Sequence, residues 1–209
     1  MNTYATYAAV VFGATMKLYD DMEDNPVLAQ HSTPKLMELI KALMIASLTY
    51  ASIHYMNFPI VLFIGLFLHD IMSDDTSLST GFWHAFMIIL LLLCIITFDI
   101  SKLSMELIFS IIFFNVAAYL DHKLCPEEYS WKKIIWRTLG AIMYTILLQF
   151  PIFIPYYDIL LFYSSYMMTS VLIMTYAKYN ETKLSTESSK DPKEQPKEDK
   201  VVYDNKHNE

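Results

Sequence analysis

The sequence predicts an all-α membrane protein: a polytopic bundle of about seven transmembrane helices with a disordered, charged cytosolic tail. Three observations carry this. First, 55% of the 209 residues are apolar or aromatic, and they gather in long runs such as residues 85–98. Second, short polar loops separate these runs, and several of the loops are acidic. Third, residues 180–209 are rich in Lys, Glu, Ser and Pro and have few apolar residues, a composition that cannot bury enough surface to order itself. The expected organisation is therefore a seven-helix transmembrane domain over residues 1–179 and a disordered tail over 180–209.

The elements follow in order. Segment one spans residues 3–19 and is rich in small residues, which suit close helix packing in lipid. Its Lys17 lies one turn before Asp21 and can pair with it. Residues 20–33 read as a loop. Thr33-Pro34 supplies an N-cap and a first-turn proline for a second helix, to about His54. Asn57-Phe58-Pro59 reads as a tight turn before a third helix, to about Met72. Its apolar stretch is only about 12 residues, against about 20 for a full span. Either the helix tilts little and ends deep, or its acidic end lies below the membrane surface in a protein-lined cavity; the cavity is the favoured reading, because Asp facing lipid is costly. Helix four covers residues 81–98. Helix five ends near Asp121, helix six covers 130–150, Pro151 and Pro155 make a turn, and helix seven covers 156–179.

Charge excludes some functions and orients the chain. A net charge of -7, from 22 acids and 15 bases, argues against nucleic-acid binding. Two cysteines are too few for a disulfide framework. No zinc-binding pattern is present. Lys17, Lys35, Lys41, Lys123, Lys132, Lys133, Arg137 and Lys178 fall on one predicted side, and only Lys102 falls clearly on the other. The positive side is cytosolic, so the C-terminus is expected in the cytosol and the N-terminus outside or in a lumen.

The acids share that cytosolic side. Odd-numbered helices end there, and three of them end in acidic clusters: Asp20-Asp21-x-x-Asp24, Asp70 with Asp74, and Asp121-His122 with Glu127 and Glu128. Carboxylates four residues apart share a helix face, and such pairs ligate Mg²⁺, which keeps phosphate and water in its shell. Mg²⁺ held by Asp20, Asp21, Asp24, Asp70 and Asp74 could bridge a diphosphate and neutralise its charge on leaving. Lys132, Lys133 and Arg137 would take the remaining phosphate oxygens. Asp121, His122, Glu127 and Glu128 complete the rim as candidate catalytic groups. Asn115 and Tyr119 line one face of helix five, either along a cavity below the rim or bonded to a neighbouring helix. The plainer alternative for every one of these clusters is a solvated loop between membrane helices.

Asp20-Asp21-x-x-Asp24 resembles the first aspartate motif of isoprenyl-diphosphate enzymes. Asp70-x-x-x-Asp74 is similar to the second aspartate motif of UbiA-type intramembrane prenyltransferases. The resemblance implies cytosolic motifs that bind Mg²⁺–diphosphate over a helical cavity for a prenyl chain, with the five aspartates as metal ligands. A seven-helix membrane terpene cyclase is the related possibility closer in size. The expected function is thus an integral membrane enzyme acting on a lipid or isoprenoid (di)phosphate. The alternative is a non-catalytic multi-pass scaffold or cation-handling carrier. A carrier should hold ionisable residues deep in several helices, whereas here they crowd at one end.

Overall fold

The computed structural model describes residues 3–24, 26–30, 32–55, 57–72, 81–97, 104–124 and 130–188, with side chains omitted at 24, 26–27, 69–72, 81, 106, 122 and 181–188. Among the described residues the chain is helical throughout. The order is α1 (Thr3–Asp24), the single turn α2 (Pro26–Ala29), α3 (Pro34–His54), α4 (Phe58–Met72), α5 (Gly81–Thr97), α6 (Met105–Leu124), α7 (Trp131–Leu147), a 3₁₀ turn (Pro151–Tyr156) and α8 (Tyr157–Ser188). The all-α class and the seven long helical segments expected from the sequence are present.

Local chemistry sets the boundaries. Thr33 caps α3 by accepting a hydrogen bond from the Leu36 amide, with Pro34 in the first turn. Ser130 caps α7 in the same way, through the Lys133 amide at 3.2 Å. Two boundaries differ from expectation. The first acidic motif is not a loop but the last turn of α1. Lys17 reaches forward to Asp20 and Asp21 and offsets the repulsion between carboxylates and the negative helix end. The last helix does not stop at Tyr179. It continues to Ser188, since no Gly or Pro interrupts residues 156–191.

The first and last helices form the centre. α1 packs on both α3 and α8, α7 covers the other side of α8, and α4 bridges α5 and α6. Gly13 makes the α1–α8 approach possible: a Cβ there would lie 2.5 Å from the Phe162 carbonyl oxygen and closer still to Ser165 Oγ. Gly65 of α4 plays the same part against the Phe114 ring of α6. Around this seam the rings interlock. Phe12 stacks on Phe162 at 5.5 Å and on Phe86 at 6.2 Å, and meets Phe58 edge-on at 5.9 Å. Phe114 stacks on the far side of Phe162 at 6.0 Å. Five helices thus contribute to one aromatic core.

Many large apolar side chains also lie on the outside. Exposed residues include Leu39 and Leu43 of α3, Leu92, Ile95 and Ile96 of α5, Phe109 and Ile112 of α6, Ile135, Leu139, Ile142 and Ile146 of α7, and Leu172 of α8. Two helical stretches, Pro34–His54 and Pro151–Asn180, are long and apolar enough to cross a membrane. Phe58–Leu68, Phe82–Thr97 and Leu107–Asp121 are apolar but shorter.

The glycine contrast gives a direct test of the seam. Gly13→Ala should destabilise the protein by about 1–3 kcal/mol or more through overpacking. Gly140→Ala, whose Cβ would meet only Tyr144 Cε2 at 3.9 Å, should be neutral or stabilising by up to about 1 kcal/mol from helix propensity. Thermal unfolding of the two detergent-solubilised variants, side by side, reads the difference.

Candidate functional site

Five charged side chains, Lys17, Asp20, Asp21, Asp121 and Arg137, converge at one end of the bundle, where α1 and α6 near their C-termini and α7 begins. On α1, Lys17 is buried, and its Nζ donates to Asp20 Oδ2 at 2.8 Å and contacts Asp21 Oδ1 at 3.0 Å. These spacings of three and four residues place the ammonium above both carboxylates on one helix face. Nζ also lies 5.5 Å from the centre of the Tyr166 ring of α8, a cation–π contact.

On α7, Arg137 is buried and makes a two-pronged pair with Asp121 of α6. Its Nε donates to Oδ1 at 3.2 Å and its Nη2 to Oδ2 at 2.6 Å. Its Nη1 donates to the hydroxyl of fully buried Ser170 on α8. Arg137 also lies within electrostatic range of Asp21, Lys17 and Tyr166, which joins the two pairs into one cluster.

Asp21 is the more deeply buried of the two α1 acids, and its partner is close. Asp20 keeps 37% of its side chain exposed and offers the open edge of the pair. Beside the cluster, Glu23 accepts from Trp83 Nε1 at 3.3 Å, and Lys41 sits over the Tyr19 and Phe82 rings at 5.6 and 5.1 Å.

The sequence-predicted residues therefore divide. Asp20, Asp21, Asp121 and Arg137 come together, and Lys133 is buried one turn before Arg137 on α7. Lys132 is exposed. Asn115 donates to its own helix, at the Ile111 carbonyl 2.8 Å away, rather than to a neighbouring one. Tyr119 is 48% exposed. Asp24, Asp70 and His122 lie in α1, α4 and α6, but their side chains are outside the described residues, as are Asp74, Glu127 and Glu128 entirely. Among the described residues no group of three His, Cys, Asp or Glu side chains is placed to hold a metal ion. Asp20 and Asp21 alone do not fit a Mg²⁺ site, so further ligands would have to come from the acids outside the described side chains.

Sequence reasoning noted Lys17 only as a local partner and missed Tyr166 and Ser170. Their signal was a Tyr-x-x-x-Ser spacing inside an otherwise apolar helix. No protein-family model matches the chain, and neither a curated protein nor a solved structure is significantly similar to it.

The cluster can supply anion donors. Lys17 has three N–H groups and uses two on acids, and Arg137 has five and uses three on Asp121 and Ser170. The donors left over, on two side chains from different helices, are suited to phosphate oxygens.

One expectation follows for stability. Arg137→Met should cost about 3–5 kcal/mol, because it strands the Asp121 carboxylate, and Arg137→Met with Asp121→Leu should recover most of that loss; denaturant titration of the single and double variants measures both.

Proposed function

We propose that the chain is a multi-pass integral membrane protein whose charged end binds the head of a phosphate-bearing lipid or isoprenoid and acts on that (di)phosphate as an enzyme. In this reading α1 and α3 to α8 all cross the bilayer, with the charged end cytosolic. The observation that carries it is the convergence of Lys17, Arg137, Asp20, Asp21 and Asp121 from three helices at one end of a bundle with an apolar exterior. Buried ion pairs add little net stability compared with apolar residues of similar volume. Ionisable groups kept inside a membrane bundle point to function.

In this scheme Lys17 and Arg137 bind phosphate oxygens through their unused N–H groups. Asp121 and Ser170 hold the guanidinium plane in place. Asp20, with its open edge, faces the water side. Mg²⁺ would supply charge neutralisation on the diphosphate, and its ligands would be Asp20 with Asp24, Asp70 and Asp74. The resemblance to aspartate motifs of isoprenyl-diphosphate enzymes supports a diphosphate as the head.

A second reading is a non-catalytic scaffold in which the same cluster is only a clamp. It is favoured by one fact: Asp20, Asp21 and Asp121 each already face a base.

Binding of an isoprenyl diphosphate to nanodisc-embedded protein, with and without Mg²⁺, separates the two. Enzyme chemistry predicts metal-dependent binding that is lost in Asp20→Asn and in the stable Arg137→Met/Asp121→Leu double variant. A scaffold predicts no diphosphate binding in either metal condition.

A further inference from the structure

We propose that a groove between α1 and α8 holds the apolar chain of a single-chain lipid phosphate whose head sits at Lys17 and Arg137. This rests on the phosphate-binding reading above and narrows its ligand to one chain. The groove has a volume of about 300 Å³ and is lined by Val10, Ala14, Ser164, Ser165, Met168 and Thr169, among others.

Its place along the helices ties it to the charged cluster. Val10, Ala14, Lys17 and Asp21 follow one another at spacings of four, three and four, so they share one face of α1. On α8, Ser165 and Thr169 lie immediately before Tyr166 and Ser170, both of which belong to the cluster. α1 and α8 run parallel here, since Gly13 meets Phe162 and Lys17 meets Tyr166. Lys17 thus lies one turn beyond the groove residue Ala14, on the same face of α1. Seven residues of helix, from Val10 to Lys17, span about 10 Å.

The walls suit a hydrocarbon chain. Ser165 donates to the Phe162 carbonyl at 2.9 Å, and Ser164 shares a hydrogen bond with Thr145 at 2.9 Å, so both hydroxyls are already satisfied. The small side chains at Ala14, Ser164 and Ser165 leave the space. Met168, at 53% exposed, forms an adaptable rim, and Leu172 beyond it, at 67% exposed, continues the outer apolar surface. The opening thus faces where lipid tails would lie. The volume falls at the lower limit for ligand pockets, about 300 Å³, which admits one chain and not two.

The test compares dodecyl phosphate with methyl phosphate, by calorimetric titration of the full chain in nanodiscs against empty discs, with Mg²⁺ present. Wild type should bind dodecyl phosphate at least about tenfold more tightly than methyl phosphate, as apolar burial requires. Ala14→Leu and Thr169→Leu, which fill the groove, should shrink that advantage to about twofold while methyl phosphate binding stays the same. An advantage that survives in both variants, each shown to unfold at the wild-type midpoint, overturns the groove and leaves the head site standing. Failure of both phosphates to bind wild type overturns the phosphate-binding reading and the groove together.

Discussion

The close approach of α1 to α8 is the constraint on which the rest of the bundle depends. These are the first and last long helices of the chain, and they pack parallel at the centre. Gly13 removes the one Cβ that would hold them apart. The stacking of Phe12 on Phe162, the placement of Lys17 over Tyr166, and the reach of Arg137 to Ser170 all need that spacing. α3 and α7 then cover opposite sides of the pair. Among the described helices, α1 and α8 meet across the sequence while neighbours such as α7 and α8 or α4 and α5 also pair.

Much of the fold was legible because apolar periodicity and caps are local signals. Thr33-Pro34 and Ser130 marked helix starts by side-chain chemistry that needs no partner. The run of acids after Tyr19 was harder to place, since carboxylates at a helix C-terminus are unfavourable taken alone. Only Lys17, one turn back, lets the helix continue through them. The candidate site was legible in part for the same reason. Asp20, Asp21, Asp121 and Arg137 stand out as charges at the ends of apolar segments. Tyr166 and Ser170 do not stand out, because a Tyr and a Ser in an apolar helix look like ordinary packing. Asn115 looked like a site residue, yet it satisfies itself on the Ile111 carbonyl. A polar residue's preference for its own backbone cannot be told from sequence spacing alone.

The cluster shows how a bundle with apolar surfaces can carry charge. Each described acid in it has a base within hydrogen-bond or ion-pair reach, and the two pairs lie close enough to feel each other. Three carboxylates face two bases, and among the described residues Lys17 and Arg137 do not spend all their N–H groups on them.

The two ion pairs differ in how far apart their partners lie along the chain, and this has a consequence for synthesis. Lys17 finds Asp20 and Asp21 within its own helix, so that charge can be masked as soon as α1 leaves the ribosome. Asp121 and Arg137 are sixteen residues apart and can meet once α6 and α7 have emerged together. Neither pair waits for α8, although both end up packed against it. Each charged segment can therefore find its partner before α8 is made, and the last helix has only to dock on a surface whose charges are already paired. The order in which the chain is made and the order in which its charges are silenced are the same.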